Sequence, residues 1–199
     1  MKNSAAFVLC LLLAFSVSAK TKDHDLKHWP TGKSPLEIGT RIANKFLATP
    51  HSRYGNTHPD TPPTQITYPD VCTWLGGMWF SEVTKNDQLF KQFEDRFSPL
   101  FDKEANLQPK PNHVDNNVFG SVPLELYLQT KQQKYLDLGL KYADTQWALP
   151  EDSKPEQKQY ADQGYSWQTR IWIDDMFMIT AVQAQAYRAT GDRKYIDRA

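Results

Sequence analysis

The stretch that decides the fold is residues 71–101, VCTWLGGMWFSEVTKNDQLFKQFEDRFSPLF. Its first part repeats apolar side chains three and four residues apart, as one face of an α-helix does. The part from Leu89 to Phe101 has a similar spacing, and residues 84–87, TKND, lie between the two. The stretch therefore predicts two helices joined by a short turn. The apolar positions of the first helix are Val71, Trp74, Leu75, Met78, Trp79 and Val83.

The same unit occurs twice more along the chain. Its turns begin at Thr84, Thr130 and Thr190, which lie 46 and 60 residues apart. Unequal helical hairpins of about 40 to 60 residues are typical of helical solenoids and of closed α/α toroids. No segment alternates between apolar and polar residues as a convincing strand would, so we expect an all-α protein.

Long connections are expected at residues 51–68, 102–114 and 148–170. Loops of this kind, gathered at one end of a helical barrel, would form a cleft. A closed toroid of six hairpins requires on the order of 300 residues, whereas this chain has 199. We therefore expect residues 34–199 to form the N-terminal half of an (α/α)6 barrel that a longer protein completes.

Residues 1–19 have the features of a secretory signal peptide. Lys2 supplies a positive charge, residues 5–15 are apolar, and residues 17–19 are small,. The apolar run is too short for a membrane span, and a polar lead-in follows at residues 20–33. We expect export to the periplasm or the extracellular space, with no membrane association after cleavage.

The composition excludes several classes of protein. Basic and acidic residues number 23 each, so no surplus of positive charge is present to bind nucleic acid,. Aromatic residues make up 13% of the chain, far more than a disordered protein would have,. Phosphate-loop, dinucleotide-binding and serine-hydrolase motifs are missing from the sequence, and its histidines lack the paired spacing of metal ligands. We expect neither a cofactor nor a metal.

One segment places two carboxylates inside an apolar run: residues 164–179, GYSWQTRIWIDDMFMI. From Ile171 to Val182 nearly every residue is apolar, which predicts a helix buried on most sides,. A buried carboxylate either finds a partner or has a raised pKa. Asp174 and Asp175 are therefore interpreted either as helix caps or as functional carboxylates.

A second polar cluster occupies residues 111–120, PNHVDNNVFG. Asp115 opens an apolar segment in which Gly120 and Pro123 predict a kinked first turn,. The cluster is typical of a capped helix start, although it is longer than capping requires. His113 is interpreted as a hydrogen-bonding residue of the loop.

These two segments resemble a known family. Residues 172–178, WIDDMFM, followed by residues 190–192, TGD, resemble the Trp-x-Asp-x-x-[Phe/Tyr]-Met signature of glycoside hydrolase family 105. Members of that family are unsaturated rhamnogalacturonyl hydrolases, related to the unsaturated glucuronyl hydrolases of family 88. Residues 113–117, HVDNN, with Gly120, resemble the family's other aspartate motif. The resemblance extends from about residue 68 to residue 199.

The resemblance implies an (α/α)6 barrel, in agreement with the repeated hairpins. It also implies an activity: removal of the 4,5-unsaturated uronic acid that polysaccharide lyases leave at the non-reducing end of oligosaccharides of the pectin or rhamnogalacturonan type. Water adds across the C4=C5 enol ether, and the resulting hemiketal collapses and releases the sugar. One carboxyl group protonates C4 and helps to deprotonate the water, and burial in an apolar helix would raise the pKa of such a group.

By motif, the resemblance assigns Asp174 as the general acid/base and Asp115 as the second catalytic carboxylate, with Trp172 beside the unsaturated ring. Asp175 lies about 100° around the helix from Asp174, so the two cannot point at the same atom. Further substrate-binding motifs of the family fall in the second half of the barrel, so the fragment alone is expected to lack part of the site. Proximity adds four substrate-binding candidates: Asn117, Trp167, Gln168 and Arg170.

Two other function classes stay open at this point. Another α/α-barrel carbohydrate enzyme, such as a sugar 2-epimerase or an inverting hydrolase, would require histidine acid/base pairs or a second carboxylate placed for ordinary hydrolysis. A non-enzymatic glycan-binding module of helical repeats would use Asp174 and Asp115 only as helix caps. The occurrence of both aspartate motifs in the same order favours the unsaturated uronyl hydrolase.

Overall fold

A computed structural model describes residues 28–51 and 64–199. The expected signal peptide at residues 1–19, the first part of the lead-in and much of the loop at residues 51–68 lie outside the described residues. Within the described ranges every regular element is a helix, which confirms the all-α prediction. None of the helices in these ranges is long and apolar enough to cross a membrane.

The described helices follow one another along the chain with short 3₁₀ segments between some of them. The 3₁₀ segments are Ser98–Phe101, Ala105–Leu107 and Val118–Gly120. The α-helices are α1 (Pro35–Ala48), α2 (Tyr68–Val83), α3 (Asp87–Phe97), α4 (Val114–Asn117), α5 (Ser121–Thr130), α6 (Gln133–Thr145), α7 (Pro155–Asp162), α8 (Ile173–Thr190) and α9 (Arg193–Arg198).

The three hairpin turns share one local structure. The hydroxyl groups of Thr84, Thr130 and Thr190 each donate to the carbonyl oxygen four residues earlier, at 2.6, 2.8 and 2.7 Å. The residue after each threonine then takes a left-handed conformation, which ends the helix and reverses the chain. These residues are Lys85 (φ 54°), Lys131 (φ 58°) and Gly191 (φ 71°).

The hairpins pack side by side. Helix α5 contacts α2 on one side and α8 on the other, and each of these three is followed by its hairpin partner, α3, α6 or α9. Helix α6 approaches the start of α5 closely, because a Cβ atom on Gly120 would lie 3.1 Å from the carbonyl oxygen of Gly139. The buried core contains many aromatic side chains, which include Trp74, Phe97, Phe119, Tyr135 and Tyr142.

Two local expectations had different outcomes. The kink predicted near Gly120 is present, since α4 and α5 are joined by the 3₁₀ turn Val118–Gly120. The connection predicted at residues 148–170 is not wholly irregular, because it contains α7. That helix starts at Pro155 and buries none of its side chains, so it lacks the apolar periodicity that would have revealed it,.

Candidate active site

The two aspartate motifs meet at the N-terminal ends of two helices. Asp115 lies in the first turn of α4, and Asp174 and Asp175 lie in the first turn of α8. Oxygen atoms of the three carboxylates lie within 4.8 Å of one another. The fold therefore brings the two predicted catalytic residues, far apart in the chain, into one acidic cluster, which we define as Asp115, Asp174 and Asp175.

Arg170 lies among these three carboxylates. Its Nη2 atom is 3.2 Å from Asp115 Oδ1, 3.6 Å from Asp174 Oδ2 and 2.5 Å from Asp175 Oδ1. Carboxylates are good ligands for hard cations, but here a guanidinium group already provides a counter-charge within reach of all three. The cluster thus carries three acidic groups and one fixed positive charge.

Asp175 is the most deeply buried member of the cluster, with 1% of its surface exposed. Its carboxylate accepts hydrogen bonds from the backbone N–H of Arg170 at 2.5 Å and from Nε at 3.1 Å, in addition to Nη2. Burial raises the pKa of Asp175, but the hydrogen bonds from Arg170 outweigh burial and hold that pKa below its ordinary value,. Asp175 is therefore ionised at neutral pH, and its hydrogen bonds hold Arg170 in place.

Asp174 is exposed, with 51% of its side chain accessible. The prediction of a helix buried on most sides is wrong for the start of α8, where Ile173 is 83% exposed and Met176 and Phe177 are also exposed. Helix α8 packs against its neighbours through one face, on which Asp175 lies. In the described chain Asp174 therefore lies on the open side of α8, where a substrate can contact it.

Trp172 presents an aromatic surface beside the cluster. Its side chain is 58% exposed, and the Arg170 guanidinium lies 4.3 Å from the centre of its ring. An indole ring held by a cation on one side can stack on a sugar ring with its remaining surface. The structure thus places Trp172, Asp174 and Arg170 together beside the acidic cluster.

The other three substrate-binding candidates lie inside the fold. Asn117 donates to the carbonyl oxygen of Tyr142 at 2.9 Å, and the indole of Trp167 donates to the carbonyl oxygen of Thr145 at 2.8 Å. Gln168 donates to the carbonyl oxygen of Pro111 at 3.1 Å, which ties the loop before α8 to the polar cluster before α4. All three are buried. Their contact with substrate stays a prediction, and their observed contacts shape the loops around the acidic cluster.

Helix capping accounts for His113 at the start of α4 and for Asp175 at the start of α8, where the Asp175 carboxylate also accepts from the backbone N–H of Trp172,. It does not account for Asp115 or Asp174. His113 is the N-cap of α4, and its Nδ1 atom accepts from the backbone N–H of Asp115 at 3.2 Å. The N-cap of α8 is Trp172, whose side chain makes no capping hydrogen bond. Asp115 and Asp174 are thus left with their carboxylates directed into the cluster around Arg170.

Another buried carboxylate, which was not predicted from the sequence, is Glu125 in the middle of α5. It accepts hydrogen bonds from Trp79 Nε1 (3.1 Å), Gln129 Nε2 (2.9 Å), Gln185 Nε2 (2.6 Å) and Arg188 Nη1 (2.9 Å). Burial raises the pKa of Glu125, but these hydrogen bonds and the charge of Arg188 lower it below its ordinary value. An acidic residue inside an apolar run was the signal that could have revealed it.

The comparison with family models decides the identity. The model described as Glycosyl Hydrolase Family 88 matches residues 41–199, a range that includes Arg170 and all three aspartates of the acidic cluster. The chain belongs to glycosyl hydrolase family 88. Comparisons with curated proteins and with solved structures gave no match. Family 88 is a family of α/α barrels, and its fold agrees with the described arrangement of helical hairpins. The protein is therefore a glycoside hydrolase that acts on a carbohydrate.

Proposed function

We propose that this family 88 protein removes a 4,5-unsaturated uronic acid from the non-reducing end of oligosaccharides by hydrating the C4=C5 enol ether. The observation that carries the proposal is the exposed carboxylate of Asp174, which lies beside Asp115, Arg170 and the exposed ring of Trp172. An accessible acid next to an aromatic surface suits a sugar ring that must be protonated at a carbon atom.

In the proposed mechanism Asp174 acts as both acid and base. Its carboxylic acid gives a proton to C4, and the electron pair of the double bond forms the new C–H bond while the oxygen of water bonds to C5. The Asp174 carboxylate then accepts a proton from that water, which regenerates the acid. The hemiketal at C5 collapses and the sugar leaves, so the reaction consumes one water molecule. Asp115 is the second carboxylate, and it lies close enough to orient the water.

Arg170 and Trp172 are proposed to bind the substrate. The chain has no net charge to steer an anionic sugar over long distances, so recognition of the uronate rests on local donors. The carboxylates of the acidic cluster engage Nε and Nη2 of Arg170, and we assign its Nη1 to the uronate carboxylate. Trp172 would stack on the unsaturated ring.

The resemblance to family 105 supports a pectin or rhamnogalacturonan fragment as the substrate. The features of residues 1–19 support export, which would place the enzyme where lyases release such fragments,. Export is tested by the N-terminus of the protein recovered from its native host, which should begin near residue 20.

The proposed activity is tested with the full-length protein and lyase products of pectin, rhamnogalacturonan and glycosaminoglycans. Hydration removes the conjugated C4=C5 bond, so the ultraviolet absorbance should fall for one class. In heavy water the released sugar should gain one deuterium at C4. An absorbance that stays constant for every class would reject the proposed reaction, and a fall confined to glycosaminoglycan products would reject the proposed substrate.

A further inference from the structure

We propose that Asp175 is a positioning residue, which acts through Arg170 to set the charge state shared by Asp115 and Asp174. The inference rests on the proposed function for its reaction, and it adds a role for the second aspartate of the WIDDMFM segment. Asp175 is buried and directed away from the surface on which Asp174 is exposed.

Asp175 holds Arg170 at two places, because it accepts from the backbone N–H of Arg170 and from the guanidinium group of the same residue. The chain between them is strained, since Ile171 has a φ of 58°, a left-handed conformation that is unfavourable for a β-branched residue,. Backbone strain of this kind persists only where the surroundings hold it. The contacts of Asp175 provide that restraint and fix where the guanidinium lies.

The charge of the Arg170 guanidinium acts on all three carboxylates. Its Nη2 atom makes its shortest contact with Asp175 and lies 3.2 Å from an oxygen of Asp115 and 3.6 Å from an oxygen of Asp174. Besides Arg170, His113 is the titratable group that faces the cluster among the described residues, with Nδ1 3.6 Å from Asp115 Oδ2. Removing the negative charge of Asp175 should therefore favour the ionised forms of Asp115 and Asp174. Removing the positive charge of Arg170 should favour their protonated forms.

A purely structural role for the ion pair predicts something different. It would lower the fraction of folded enzyme without changing the pH at which the remaining enzyme works. The chain supplies a matched pair for comparison, because Glu125 is also buried and Arg188 Nη1 lies 2.9 Å from it. That pair joins the middle of α5 to the C-terminal end of α8, whereas the acidic cluster lies at the N-terminal ends of α4 and α8.

The test compares the full-length enzyme with four variants: Asp175→Asn, Arg170→Gln, Glu125→Gln and Arg188→Gln. The readout is the pH at which kcat falls on the alkaline side at saturating substrate. Substrate affinity does not enter kcat, and a constant folded fraction scales kcat without moving that pH. The high-pH limit of activity should move to lower pH in Asp175→Asn and to higher pH in Arg170→Gln, each by at least about 0.5 to 1 pH unit, the size expected for charges about 4 Å apart at the dielectric constant of bulk water. Both control variants should keep the wild-type limit.

A second readout does not depend on activity. Carbon-13 NMR of labelled aspartate carboxylates should show the same opposite displacements of the Asp174 and Asp115 titrations, with His113→Gln used to recognise the contribution of His113. If the wild type is inactive on every substrate, the proposed function fails and NMR still decides this inference. Shifts in the same direction, or displacements no larger than those of Glu125→Gln, would overturn it while leaving the proposed function intact. If Asp175→Asn does not fold, the displacement of the Asp174 and Asp115 titrations can still be measured in Arg170→Gln, which removes the other partner of the ion pair.

Discussion

The strongest prediction about stability concerns Glu125, which joins α2, α5 and α8 through its hydrogen bonds. We expect Glu125→Ala to lower the free energy of unfolding by about 3–5 kcal/mol, because several hydrogen bonds to one buried carboxylate are lost together,. The contacts support this size. Gln185 is buried and would lose an acceptor for its amide, at about 1–3 kcal/mol,. The donors of Trp79 and Arg188 can regain water, so each lost bond costs about 1 kcal/mol.

The effect should depend on pH, because the pKa of Glu125 is lowered in the folded protein. A carboxylate with a lowered pKa contributes stability above its unfolded pKa, and it loses that contribution as the pH falls through the folded value. The difference in free energy of unfolding between Glu125→Ala and wild type should thus be largest near neutral pH. It should shrink below the ordinary pKa of 4.5.

Urea unfolding followed by circular dichroism measures both effects. Asp137→Ala is the matched control, since Asp137 is an exposed carboxylate that accepts a single hydrogen bond, from Gln133, in α6. It should change the free energy of unfolding by less than about 0.5 kcal/mol. A loss below about 1 kcal/mol for Glu125→Ala, or an equal loss at neutral and acidic pH, would refute the reasoning.

Three further predictions follow from local geometry. Trp172→Ala should raise KM about tenfold, because it removes the stacking surface, and should barely change the melting temperature; unchanged KM would contradict the assigned role. Gly139→Ala should destabilise the protein by about 1–3 kcal/mol in urea unfolding, since its Cβ would lie 2.4 Å from Leu124 Cγ; a neutral result would show that α6 can shift. Ile171→Gly should stabilise by about 0.5–1 kcal/mol, as its φ is 58° and its side chain is exposed; a loss of stability would argue against strain there.

The helical hairpins were predictable because their signals are local. The apolar spacing around Trp74 follows from the repeat of an isolated helix. Residues 34–37, SPLE, likewise have the local chemistry of a helix start,. In the structure Ser34 Oγ accepts from the backbone N–H of Glu37 at 3.2 Å, and α1 ends at Ala48, ahead of Pro50. The left-handed residue after each turn threonine could not be predicted at Lys85 and Lys131, since lysine seldom adopts that conformation,.

The residues of the candidate site could be predicted from the sequence, but their burial and their contacts with Arg170 could not. Periodicity shows that the start of α8 is apolar, but it does not show which face has a neighbour, so the exposure of Asp174 was missed. The angular argument did separate Asp174 from Asp175, and packing then decided that Asp175 is the buried one. The contact of Arg170 with Asp115 joins residues 55 positions apart, which no local pattern reveals.

The proposed reaction on an unsaturated uronyl group depends on the acid/base role of Asp174. The most direct measurement is the rate of absorbance loss for Asp174→Asn in the full-length enzyme, with Asp137→Asn as the control, since both replace an exposed aspartate by its amide. We predict a loss of at least about 100-fold in kcat for Asp174→Asn, no change for Asp137→Asn, and equal melting temperatures. A folded Asp174→Asn enzyme with wild-type activity would contradict the account.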